Sequence, residues 1–211
     1  MTYDFALLGA TGFTGGLAAD YLAAHAPAGT RWAIAGRDPA RLDAVAGRIA
    51  DAGGVVPDPV RADVADDRQM RSLAERTRVL TTTVGPYVEH GAAVVAACAE
   101  AGTDYCDLTG EPEFVDRTWL AHHARAERTG ARLVHACGFD SVPHDLGVFH
   151  HVQQLPEGVP LTVRGYVTAS ASASGGTYHS AVRAFSRVRQ ARAAATERRQ
   201  REPRPAGRRV R

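Results

Sequence analysis

The chain has 211 residues, 45% of them apolar and 23% charged, enough for one large soluble domain or for one complete domain and part of another. No stretch approaches the ~20 apolar residues of a membrane-spanning helix, the N-terminus runs straight into a strand pattern rather than a signal peptide, and the three cysteines (Cys98, Cys106 and Cys137) form no C-x-x-C pair, which argues against a disulfide framework or zinc knuckle. The net charge of +2 hides a division: residues 183–211 hold eleven arginines and two glutamates, a balance of +9, whereas residues 1–182 hold fourteen arginines against twenty-one acids, a balance of −7.

The first apolar run, Phe5 to Leu8, reads as a buried strand and meets glycines at three-residue spacing. Leu17, Tyr21 and Leu22 then give a helical apolar face. Trp32 to Ala35 is the second strand. Asp38-Pro39 supplies an acidic cap and a first-turn proline for a helix whose stripe is Leu42, Val45, Ala46 and Ile49. Val55 to Asp63 is a weak strand broken by Pro57 and Pro59, and Met70, Leu73 and Ala74 mark a short helix. Val79 to Val84 is a strand, Val88 to Ala101 a helix, Tyr105 to Leu108 a strand, Pro112 to Arg128 a helix and Leu133 to Ala136 a strand. This alternation with short connections predicts an α/β fold, a doubly wound parallel Rossmann sheet with helices on both faces. Beyond Cys137 the pattern changes. His144 to Gln153 reads as a helix. Thr162 to Ser174 alternates strictly, as a half-buried strand in a mixed sheet would. The division expected is a dinucleotide-binding domain over 1–137, the start of an incomplete α+β substrate domain over 138–182, and an Arg-rich tail without fixed structure over 183–211.

Glycines at the strand-to-helix junction have a physical use. In Gly9-Ala10-Thr11-Gly12-Phe13-Thr14-Gly15 the first glycine makes a tight turn, the next lets the backbone approach a diphosphate, and the last lets the helix pack close to the strand. The helix N-terminus offers free amides to the phosphates. Thr11 and Thr14 add hydroxyl donors. The second strand ends in Gly36-Arg37, and a guanidinium there suits the 2′-phosphate of NADP rather than the bare ribose of NAD. Asp38 could serve the ribose, but Pro39 makes it a helix cap. Asp63, after the third strand, is placed to meet the adenine edge or to stay a solvated loop acid. Gly85-Pro86, ending the fourth strand, is expected on the nicotinamide side, because ligands of such folds sit outside the carboxyl ends of strands.

At these residues a resemblance can be stated. "GATGFTG", "AGRDPARL", "TVGPYVEHG", "GTDYCDLTGE" and "CGFDSVPHDLG" together resemble the saccharopine dehydrogenase-like oxidoreductases, and within them the branch that includes the trans-acting enoyl reductases of glycolipid synthesis. The resemblance covers about residues 3–182. It implies an NADP-linked oxidoreductase that transfers hydride to an imine, an amino-acid adduct or an enoyl group, with peripheral association at the membrane. It also implies a chain of about twice this length. The departure comes after "SASGGTYHSAV", where an Arg-rich segment replaces the expected mixed sheet. A truncated or frameshifted product, a disordered basic tail that binds nucleic acid or anionic lipid, and a short amphipathic helix (Ala184, Phe185, Val188, Ala191) all remain open.

The catalytic residues are left unassigned. Asp140, His144 and Asp145 are candidate acids whose alternative role is helix capping, and Tyr87 and Tyr105 are further candidates. All 25 basic residues are arginine, so a Tyr-x-x-x-Lys mechanism is excluded. The arginine bias points to a GC-rich bacterial genome. The nine histidines show no metal-ligand spacing, and no metal is expected. With so few cysteines a reducing cytoplasm is the compartment expected. Three function classes follow: an NADPH-linked oxidoreductase, a nucleotide-binding module without chemistry, and a binder of nucleic acid through its tail.

Overall fold

A computed structural model describes residues 1–168 and 186–203. Six parallel strands form one sheet in the order β3-β2-β1-β4-β5-β6. They are β1 (Tyr3–Leu8), β2 (Trp32–Gly36), β3 (Asp58–Arg61), β4 (Thr77–Thr82), β5 (Asp104–Asp107) and β6 (Leu133–Val134). The crossover helices are α1 (Phe13–His25), α2 (Pro39–Asp51), α3 (Asp67–Glu75), the short α4 (Tyr87–His90), α5 (Ala92–Ala101) and α6 (Pro112–Thr129). Helices α7 (Val142–Val152) and α8 (Val188–Arg201) follow. This is the doubly wound Rossmann arrangement that the alternation predicts. Its order reverses at β1, with β2 on one side and β4 on the other, and that crevice is where such folds bind ligands.

The register is set by continuous apolar runs. Phe5 to Leu8 lies against Trp32 to Ala35 on one side and against Val79 to Thr82 on the other. Leu7, Leu8, Ile34 and Leu80 are almost wholly buried, and each such side chain stabilises the fold by roughly 1.5–3 kcal/mol relative to exposure. Helix α2 starts as its sequence dictates: Pro39 occupies the first turn and the Asp38 side chain accepts the Arg41 amide at 3.2 Å, a cap that contributes about 1 kcal/mol.

Four expectations are corrected. On α1 the buried residues are Gly15, Ala19 and Ala23; of the expected face Leu22 packs half-buried against the core, while Leu17 and Tyr21 are 57% and 65% exposed. The helix lies too close to β1 for large side chains between them. The single helix expected over Val88 to Ala101 is two, divided at Gly91, where a Cβ would lie 2.4 Å from the Phe114 ring. Residues 162–168 pair with no strand among the described residues, and Tyr166 is 89% exposed. The remainder of that expected strand, 169–174, lies outside the described residues. Within the Arg-rich tail, α8 is a helix packed on α6; it begins only at Val188, which is exposed, and buries Ala194, so of the amphipathic stripe expected Ala191 alone is half-buried among the described residues. Ala184 and Phe185 of that reading, and residues 204–211, lie outside the described residues.

Candidate functional site

At the crevice Gly9 adopts φ +95, a left-handed conformation that disfavours any side chain. Gly12 is the N-cap of α1, and its amide donates to the Gly9 carbonyl at 3.0 Å. Gly15 is buried, and a Cβ on it would stand 2.1 Å from the Gly9 oxygen and 2.8 Å from Thr83 Oγ1. Only glycine permits this close packing of α1 on the β1 turn, the role of the last glycine in a dinucleotide-binding loop. The Gly16 amide reaches back to the Gly12 carbonyl, so the amides of Phe13, Thr14 and Gly15 precede the first intrahelical bond and are available to an anion. Gly12, Phe13 and Thr14 are exposed and Thr11 is half-buried. Ala10 is different: its methyl lies in the core beneath the loop, so only its backbone can face a ligand.

The end of β2 adjoins this loop. A Cβ on Gly36 would come within 3.9 Å of Thr11 Oγ1. Arg37 is exposed, and its guanidinium has no partner among the described residues. Asp38 is committed to capping α2, which removes the acid that would favour NAD. Arg41 was not singled out from the sequence. It lies one helical turn beyond Arg37, and its Nη2 donates to the Thr11 carbonyl at 3.0 Å, which brings a second guanidinium to the glycine loop. Asp63 is half-buried. Its Oδ1 accepts the Ala65 amide at 3.0 Å, so its carboxyl shapes the β3–α3 turn.

Across the switch point, the ends of β4, β5 and β6 are joined by a polar network that sequence reasoning missed. Asp107 is fully buried. Its Oδ2 takes the Tyr105 hydroxyl at 2.8 Å and contacts His135 Nδ1 at 2.6 Å, and its Oδ1 accepts the amides of Thr109 and Ala136, both at 3.0 Å. Glu111 Oε1 and Oε2 accept the amides of Tyr87 and Val88, both at 2.9 Å. The "GTDYCDLTGE" stretch carried the signal, since its alternating polar residues follow a buried strand. Gly85 is exposed and Pro86 half-buried at the head of this network, joined by a cis peptide bond.

Tyr87 and Tyr105 are corrected as candidate acids. Both are buried, burial pushes both phenols far above their ordinary value, and their hydroxyls are spent on the Thr82 carbonyl and on Asp107. Asp140 and Asp145 are exposed, and His144 packs its ring against Phe139. Burial raises all three cysteine thiols. Among the described residues no cluster of three His, Cys, Asp or Glu side chains could hold a metal ion.

On the far side of α6, the Arg187 guanidinium grips Glu113 with two bonds of 2.7 Å, and Arg198 reaches Asp116 at 3.1 Å with its charge over the Trp119 ring. The Arg187 bonds hold the Glu113 carboxyl below its ordinary value. A cavity of about 450 Å³ opens between α6 and α8, floored by Val88, Pro112 and Ala191. None of the glycine-loop residues line it, but Val88 and Glu111 of the network at the β4 and β5 ends do.

The saccharopine dehydrogenase NADP binding domain family matches residues 5–134. A Mycobacterium tuberculosis relative named as a candidate trans-acting enoyl reductase is 44% identical over 188 residues, 87% of this chain and 44% of its own length. The trans-acting enoyl reductase of Mycobacterium ulcerans is 44% identical over 155 residues, 74% of this chain and 37% of its own. The chain thus spans less than half the length of these relatives. Among solved structures, the apo saccharopine dehydrogenase (L-Glu forming) of Saccharomyces cerevisiae superposes with a TM-score of 0.57 at 21% identity, over 71% of this chain and 30% of that one. At that identity the likeness is one of fold.

Proposed function

Because the chain belongs to the saccharopine dehydrogenase NADP-binding-domain family, we propose that it is an NADPH-linked oxidoreductase that reduces an enoyl group on a lipid-derived acyl intermediate of glycolipid assembly. The observation that carries the reading is the close approach of Gly15 to Gly9 at the head of α1, beside Arg37, which has no partner among the described residues. Bound NADPH supplies the hydride. The amides of Phe13 to Gly15 hold the diphosphate, Arg37 and Arg41 take the 2′-phosphate, and the Gly85-Pro86 loop orients the nicotinamide half. The choice of an enoyl group over an imine rests on the two mycobacterial relatives named above, which are 44% identical, against 21% for the yeast enzyme.

A second reading has its own observation. Helix α7 has no buried residue, and residues 162–168 stay unpaired among the described residues. The described residues between β6 and α8 therefore build no core of their own, and on this reading the protein acts as a nucleotide-binding module. Titration of the purified chain with NADPH, followed by oxidation of NADPH at 340 nm with a panel of enoyl thioesters, separates the two. Binding with turnover supports the oxidoreductase, binding without turnover supports the module, and absence of binding overturns both.

A further inference from the structure

The carboxyl group of Glu111 belongs to the β5 end of the sheet but spends both oxygens on another loop. Oε1 accepts the Tyr87 amide and Oε2 the Val88 amide, each at 2.9 Å. Those amides stand immediately after Gly85-Pro86. Glu111 is 7% exposed and is itself fixed from below: its amide donates to Thr109 Oγ1 at 3.1 Å, and the Thr109 amide donates to Asp107 Oδ1 at 3.0 Å. Upstream of Gly85 the loop has its own ties to the β1 end, from the Thr83 amide to the Leu8 carbonyl at 3.0 Å and from the Thr83 hydroxyl to the Gly9 carbonyl at 3.3 Å, which hold the phosphate side independently of Glu111. Downstream of Pro86 the remaining ties run through the Tyr87 hydroxyl and are longer than those of Glu111, 3.2 Å to the Thr82 carbonyl and 3.3 Å from the Leu108 amide. Hydrogen bonds to a carboxyl group are the stronger kind, and buried donors deprived of them are costly.

We propose that Glu111 is a positioning residue for the nicotinamide half of the cofactor: it pins the Gly85-Pro86 loop at the carboxyl edge of the sheet without touching the ligand. The inference rests on the reading of the crevice as an NADPH site. Strand order confines its effect. Arg37 and Arg41 follow β2, whereas Glu111 follows β5, and β1 and β4 lie between them. Loosening Glu111 therefore disturbs one half of the cofactor site and leaves the other intact. A purely structural role would weaken both halves together.

The experiment uses the full chain and two ligands, NADPH and 2′,5′-ADP, which carries the 2′-phosphoadenosine end but no nicotinamide. In Glu111→Gln the amide nitrogen faces one of the two backbone donors, so one bond becomes a repulsion. The expected result is NADPH bound about tenfold more weakly, equivalent to about 1.4 kcal/mol, with 2′,5′-ADP within about twofold of the wild type. The enhancement of nicotinamide fluorescence on binding should fall with it. Glu111→Asp, which withdraws the carboxyl by one methylene and keeps its charge, is the second variant and should show the same asymmetry. Equal weakening of both ligands, or loss of both through misfolding in either variant, overturns the proposal, as does unchanged NADPH affinity. Failure of the wild type to bind NADPH overturns the cofactor reading along with it, whereas the other failures leave that reading standing.

Discussion

A Cβ on Gly15 would stand 2.1 Å from the carbonyl oxygen of Gly9. That contact draws α1 down onto β1, keeps the inward face of the helix to Gly15, Ala19 and Ala23, and leaves the loop between the two glycines open to a diphosphate. Gly15→Ala is expected to force the helix away from the strand. Overpacking of this kind costs on the order of 1–3 kcal/mol or more. It should lower the thermal midpoint and abolish NADPH binding together. Full NADPH affinity in a folded Gly15→Ala chain would refute the role assigned to the close approach.

The two arginines near the end of β2 make separable predictions. Arg37→Ala removes a guanidinium that has no partner among the described residues and should weaken NADPH by about tenfold to a hundredfold while leaving NADH nearly unchanged. Arg41→Ala also removes the bond to the Thr11 carbonyl, so a smaller loss for NADH should accompany the loss for NADPH. Isothermal titration with both nucleotides checks this. A preference unaltered in both variants would remove the 2′-phosphate from this position.

Asp107 is a buried acceptor for four donors. Asp107→Ala leaves them without a partner and should cost about 3–5 kcal/mol in urea unfolding. Asp107→Asn keeps one oxygen for the Thr109 and Ala136 amides, and a change of His135 tautomer can meet the new amide, so its cost should be nearer 1 kcal/mol. Equal losses in the two variants would show that the packing of this side chain matters more than its hydrogen bonds.

Helix α8 should leave α6 in acid. The Glu113 carboxyl is held below its ordinary value of 4.5 chiefly by its bonds to Arg187. The contact is therefore fully present above that ordinary value and is lost as pH falls through the lowered one. Hydrogen exchange over Val188–Arg201, corrected for intrinsic rates, should speed up as pH drops below the carboxylate range. Arg187→Ala should produce the same acceleration at neutral pH, with the amides of β1 and β4 unaffected in both cases. An α8 that stays protected in Arg187→Ala would assign its docking to Ala191, Ala194 and the Arg198 contacts instead.

What the sequence determined by itself is short in range. Apolar runs of four to six residues, the Asp38-Pro39 helix start and the glycines at three-residue spacing specify backbone conformation within a turn or two, so the strand and helix order and the phosphate loop could be read from it. The tertiary structure decided everything that depends on which distant segments meet. It chose the small-residue face of α1 over the Leu17 and Tyr21 face. It brought Arg41 to the loop across thirty residues. It joined Asp107 to His135 across twenty-eight residues and Glu111 to Tyr87 across twenty-four. It laid α8 on α6 through Arg187 and Glu113, seventy-four residues apart. Parallel strands return to the same edge only after a helix, so the residues that build that edge are never neighbours in the chain, and no local pattern can announce them.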